Sequence, residues 1–238
     1  IHTTIERRGF SCLKHFIFGP PKLRPDLMNE RDMVFCLAAS PLNNNQPLHI
    51  RVLQTIYRKL TGSKFDCARY GSHWEDIGFQ GNDPATDLRS VGILSLLQIL
   101  HLVSDARYSA LARDIYSLST HETQNFPFCI MGINMTRVAL LTLREGSLNK
   151  ECNRQSEVLS PFNDLYVSIY FHLYRLWKSG QKTIADTGFV LKDVEDLAKK
   201  SPKTLLDNLR SHVESCKKKE VGSVEGVMNF MDVCAEEQ

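Results

Sequence analysis

The sequence predicts an all-α fold, and three observations carry that expectation. Apolar residues recur at helical spacing in one segment after another. The segments are separated by helix-start and helix-stop residues: Asp83-Pro84, Ser160-Pro161 and Ser201-Pro202 open helices, while Gly62 and Gly146 close them. No stretch alternates apolar and polar residues as a half-buried strand would, and there is no internal repeat or low-complexity tract. These features together describe one multi-helix domain over residues 24–217.

Taken in order, residues 1–23 read as an irregular arm. Phe10 to Phe18 mixes apolar and basic residues, and Gly19-Pro20-Pro21 breaks it. A helix is expected from about Asp26 to Ala39, burying Leu27, Val34, Phe35 and Ala38; Ser40-Pro41 ends it, because the residue before proline disfavours the helical region. Pro47 opens a second helix in which His49, Val52, Leu53, Ile56, Tyr57 and Leu60 share a face. Arg51, Arg58 and Lys59 lie on its solvated sides. Trp74 to Gln80 reads as a loop, and Asp83-Pro84 then supplies a capping carboxylate and a proline at the first helical position. From there one helix is expected through Val103, with Leu88, Val91, Gly92, Leu96 and Ile99 on one stripe and Ile93, Leu97 and Leu100 beside it. A helix so apolar belongs in the core. Tyr108 to Leu118 forms a short amphipathic helix, and Phe128 to Arg144 a nearly all-apolar one. A long helix runs from Ser160-Pro161 to Ser179-Gly180, with Asp164, Arg175 and Lys178 arguing against a membrane span. Two helices follow, about Phe189–Lys200 and Pro202–Lys217, and residues 218–238 read as a flexible tail.

Composition narrows the function. With 42% apolar and 24% charged residues the chain is of ordinary globular type. A net charge of +2 gives no concentrated basic face of the kind nucleic-acid binders carry, so nucleic acid is not an expected partner. No stretch is apolar for long enough to span a bilayer, and no cleavable signal is evident. Seven cysteines without close pairs read as reduced, buried thiols of a cytoplasmic protein. Ile1 stands where methionine would begin a complete chain, so the sequence reads as a fragment, splice product or processed chain. Neither G-x4-G-K-[ST] nor H-E-x-x-H nor a pair of C-x2-C elements is present, and Cys12-x2-His15 lacks partners at ligand spacing. No metal or other cofactor is expected.

One stretch is far more specific than the rest. Trp74 to Leu100 contains W-x3-G-F-Q-G-x2-P-x-T-D-x-R followed by a leucine-rich helix. It is accompanied by Phe126-Pro127-Phe128, by Asn134-Met135-Thr136, by an Asn153-Arg154-Gln155 turn and by an aromatic helix ending at Trp177. Over about residues 45–215 this combination resembles the ELMO (engulfment and cell motility) domain family. The resemblance implies a regulator rather than an enzyme: a GTPase-activating protein for Arf and Arf-like small GTPases in their GTP form. Peripheral association with membranes or actin-rich structures fits that setting. It implies Arg89 as a catalytic arginine finger, with Gln80, Asp87 and Ser90 contacting the partner. The other large class of Arf GTPase activators is built around a zinc module, and none is seen here. Where the family pattern usually has glycine after the motif arginine, this chain has Ser90, which adds a side chain where a partner approaches.

The residues alone leave Arg89 two roles. As a finger it would offset charge developing on the γ-phosphate, a task suited to a planar, permanently charged guanidinium. As a clamp it would pair with Asp83, Asp87, Glu75 or Asp76 and pin the loop to the helix. The corresponding alternative for the whole chain is a non-catalytic ELMO-type binding module that recruits a partner in small-GTPase and cytoskeletal signalling. Trp74 and Phe79 read as core anchors of the loop, Gln80 as an amide fixing the loop or orienting a water, Thr86 and Asp87 as helix caps, and Asn134 and Thr136 as satisfied buried polar groups.

Overall fold

A computed structural model describes the backbone of Thr3 and of residues 19–234, and their side chains apart from those of residues 89 and 219–234. The expected arm over 1–23, with Cys12 and His15, therefore lies mostly outside the described residues, whereas the backbone of the expected tail over 218–238 is described as far as Cys234.

The described residues form α-helices and short 3₁₀ turns, with no strand among them. In chain order the α-helices are α1 (Met28–Ala39), α2 (Pro47–Thr61), α3 (Gly92–Ser104), α4 (Ser109–Ser119), α5 (Phe128–Glu145), α6 (Asn149–Gln155), α7 (Leu159–Ser179), α8 (Thr187–Lys200) and α9 (Pro202–Cys234). Three apolar helices, α3, α5 and α7, pack successively against one another and make the centre. On the α3 side lie α1, α2 and α4; on the α5 and α7 side lie α8 and α9. One core of buried residues runs from Val34 and Leu53 through Leu96 and Met135 to Trp177 and Val194. The all-α expectation holds.

Several boundaries depart from the sequence reading, the first for a tertiary reason. The helix expected from Asp83 does not form there. Asp83 does cap a turn, accepting from the Ala85 N–H at 2.9 Å, but that turn and the next are short 3₁₀ pieces, Pro84–Thr86 and Leu88–Ser90. The α-helix begins only at Gly92, whose φ is +52°. A Cβ at this position would sit 2.4 Å from the Ser40 carbonyl oxygen and 2.6 Å from that of Ala38. The chain kinks here to let α3 meet the C-terminus of α1, and the Ile93 N–H donates to the Ser40 carbonyl at 2.8 Å. Glycine alone permits this approach.

The expected stripe survives the kink, with Leu88, Val91, Gly92, Leu96 and Ile99 all buried. Leu94, Leu96, Ile99 and Leu102 are buried, while Leu97 and Leu100 only flank the core, half-buried. Asn153-Arg154-Gln155 is the end of a helix rather than a turn, with Ser156 in the left-handed region just beyond it. The last helix continues past Lys217 to Cys234. The start of α7 is capped from a distance, because the Glu30 carboxylate of α1 accepts from the N–H groups of Val158 (3.0 Å) and Leu159 (2.7 Å). Of the cysteines, Cys129 and Cys152 are buried as expected, whereas Cys36 is exposed and Cys67 and Cys216 are half-buried. Asn134 and Thr136 are satisfied by the carbonyls one turn back, those of Ile130 and Gly132.

Candidate functional site

The motif begins with a 3₁₀ turn over Ser72–Ile77. Trp74 is completely buried, its indole N–H donating to the Arg69 carbonyl at 3.0 Å, with Tyr57 and Phe79 packed edge-on against the ring. An aromatic ring locked on several sides anchors the loop on α2, as its residue type suggests. Gly78 and Gly81 both take positive φ, +83° and +72°. At Gly78 space matters as well as φ: a Cβ would lie 2.4 Å from the Phe128 nitrogen, because the loop rests directly on the first turn of α5. The Ile130 N–H donates to the Gly78 carbonyl at 3.1 Å and secures that contact.

The remaining fastenings close the loop on itself. Gly71 donates to the Asn82 carbonyl at 3.1 Å. The Arg69 guanidinium, itself mostly buried, pairs with Asp83 at 2.8 Å and reaches Asn44 Oδ1 through Nε at 2.8 Å. Asp87 Oδ2 accepts from the Gln80 N–H at 2.8 Å, so this carboxylate ties the glycine loop to the following turn instead of capping a helix. Asp76 is bound from two helices, accepting from the Tyr57 hydroxyl at Oδ2 (3.3 Å) and from the Tyr116 hydroxyl at its backbone carbonyl (3.1 Å). Burial first, and then the Asp76 charge, pushes both phenols above their ordinary range.

Against this frame the expected site residues can be placed. Gln80 and Ser90 are exposed, and Asp87 is half-buried. Arg89 has its backbone in the 3₁₀ turn Leu88–Ser90, between buried Leu88 and exposed Ser90. Among described non-glycine residues only Ser156 and Gln181 have positive φ, so nothing in the backbone at Ser90 requires glycine. Asp83, one candidate partner for an arginine clamp, is already engaged by Arg69 and by the Ala85 N–H.

Two of the four accompanying features converge here. Phe128 lies under Gly78, and its carbonyl accepts from the Tyr170 hydroxyl of α7 at 2.7 Å. Trp177 and Gln124 exchange hydrogen bonds, indole N–H to the Gln124 carbonyl and side-chain amide to the Trp177 carbonyl, while Phe126 packs edge-on against the indole. The other two bond elsewhere: Asn134 and Thr136 within α5, and Asn153 to the backbone of Lys22 and Arg24. Sequence reasoning missed Arg69, whose neighbour Tyr70 it stacks on at 4.5 Å, and it missed Glu30. Both act on partners far away in sequence, which no local spacing marks.

A thiol close to this loop is a poor nucleophile. Cys129 is fully buried, and burial first and then the nearby Asp87 charge raises its thiol well above the usual range. Among the described residues no three His, Cys, Asp or Glu side chains gather as a metal site would need, and no helix is long and apolar enough to cross a membrane. What the arrangement offers is a loop fastened to α2, α4 and α5 that leads into the short turn carrying Arg89.

The sequence pattern of the ELMO/CED-12 family matches residues 32–191. The chain belongs to that family. It is 52% identical over 225 residues to ELMO domain-containing protein 3 of Mus musculus, covering 94% of this chain and 59% of that protein. Its identity to the Homo sapiens protein of the same name is 52% over 213 residues, 90% and 56% of the two chains. ELMO domain-containing protein B of Dictyostelium discoideum is 30% identical over 156 residues, 65% and 54%. The chain thus spans somewhat over half the length of these relatives. The matched family region takes in the motif loop, its supports on α2, α4 and α5, and the kinked start of α3.

Proposed function

We propose that this ELMO-family chain is a GTPase-activating protein for Arf or Arf-like small GTPases, with Arg89 as the arginine finger. The observation that carries the reading is the construction of the loop. Gly78 on α5, Trp74 in the core, the Arg69–Asp83 pair and the Asp87–Gln80 bond together fix the position of the turn bearing Arg89. Such a residue must already be in place when charge develops on the transferring phosphoryl group, so a braced turn suits a finger. The chain supplies no nucleophile or base in this reading. Positioning water and substrate is left to the GTPase, and Arg89 adds a donor in trans that acts only as the transition state forms. Fingers of this kind contribute about 10³–10⁵ in rate, equivalent to about 4–7 kcal/mol of barrier. Exposed Gln80 and Ser90 and half-buried Asp87 are then the contact residues nearest the phosphates.

Single-turnover GTP hydrolysis by a panel of Arf and Arf-like GTPases, with and without this chain, tests the reading. Acceleration of at least one member by three orders of magnitude is expected. Binding to a GTP-loaded member with no acceleration would instead mark a recruiting module.

A further inference from the structure

Beside the motif loop runs a groove of about 310 Å³ that the proposed chemistry does not use. Its floor is the pair Phe126 and Phe128, both buried, and one wall is the loop backbone at Gly78 and Phe79. Ile184, from the 3₁₀ turn Ile184–Asp186, also lines it and is 56% exposed, far more than a packed isoleucine. Glu75 and Asp76 stand on the rim, both exposed. No cation pairs with Glu75 among the described side chains. The groove is continuous with the candidate site: Phe79 lines it, and the next residue, Gln80, is tied to Asp87, two positions before Arg89.

We propose that this groove is a second contact for the GTPase, receiving a lysine or arginine side chain of the partner with its aliphatic stem across Phe126 and Ile184 and its charge at Glu75 and Asp76. An apolar floor beneath an acidic rim matches a side chain that is itself apolar along its stem and charged at its tip. The volume, near the lower end of the roughly 300–1,000 Å³ of ligand clefts, suits one side chain and not a folded segment. The carboxylates also give the loop face a negative field, which steers a basic partner surface toward Arg89. The inference rests on the GTPase reading above and adds where the partner is gripped.

Glu75→Lys and Ile184→Glu in the full chain test it, since both residues are exposed and the variants are expected to melt with the unaltered protein. Each is titrated in single-turnover hydrolysis against whichever GTP-loaded Arf-family protein the unaltered chain activates, alongside Arg89→Lys. Both groove variants are expected to raise the half-saturating concentration about tenfold with the plateau rate preserved. For Glu75→Lys the difference should shrink as salt is raised, as for a rim charge. Arg89→Lys should do the reverse, lowering the plateau at an unchanged half-saturation. If both groove variants titrate like the unaltered chain while Arg89→Lys loses its plateau rate, the groove proposal is overturned and the finger stands. If Arg89→Lys keeps its plateau, the finger assignment fails; if the unaltered chain activates no Arf-family protein, the GTPase reading fails and takes the groove with it.

Discussion

Glu151 is a residue on which two helices depend. Its carboxylate accepts from Arg154 and Gln155 of α6 and from Arg210 of α9, and the Arg154 hydrogen bond first of all lowers it from 4.5 to about 2. Because the folded value is depressed, the stabilisation is complete above the unfolded value and drains away as pH falls from about 4.5 toward 2. Glu151→Gln should therefore cost about 1–2 kcal/mol at neutral pH, on the scale of charge-assisted hydrogen bonds. Denaturant curves of variant and parent should converge near pH 2; a constant gap across that window would show that the carboxylate charge is not what matters. Gly78 makes a sterically sharper case. With φ at +83° and no room against the Phe128 backbone, Gly78→Ala should cost more than about 2 kcal/mol, and a thermal shift near zero would mean that the loop does not rest on α5.

At the scale of elements, the sequence announced which helices exist and missed where the central one begins. Apolar periodicity made α3, α5 and α7 legible, since each is buried over most of its surface. The break between Asp83 and Gly92 was not legible, because its cause is a pair of carbonyls at Ala38 and Ser40, some fifty residues upstream. Place on the stripe decides which leucines matter. Leu96→Ala should cost about 2–5 kcal/mol, as for a fully buried large-to-small change, and Leu97→Ala less than about half as much, since that side chain is half-buried. Equal losses in chemical denaturation would show that Leu97 belongs to the core as fully as Leu96. The remote cap of α7 by Glu30 was hidden for the same reason: its partners are 128 and 129 residues away.

Across the whole molecule, the motif loop, the Phe126-Pro127-Phe128 segment and the Trp177 end of α7 are one connected construction, joined through Gly78, Tyr170 and Gln124. The candidate site was legible in outline because the motif names its own anchors: Trp74 and Phe79 are buried as their residue types suggest. The bracing was not legible, since Arg69, Tyr57 and Tyr116 reach the loop from outside the motif. The central claim is that this construction exists to present Arg89, and Arg89→Lys tests it most directly. Melting temperature, affinity for the GTP-loaded GTPase and single-turnover rate should all be measured on that one variant. The account predicts unchanged melting, because both residues are good helix formers with long aliphatic stems, nearly unchanged affinity, and a rate at least about a hundredfold lower. A loss of stability above about 2 kcal/mol, the scale of breaking a buried charge pair, with the rate per folded molecule intact, would contradict it and make Arg89 a clamp.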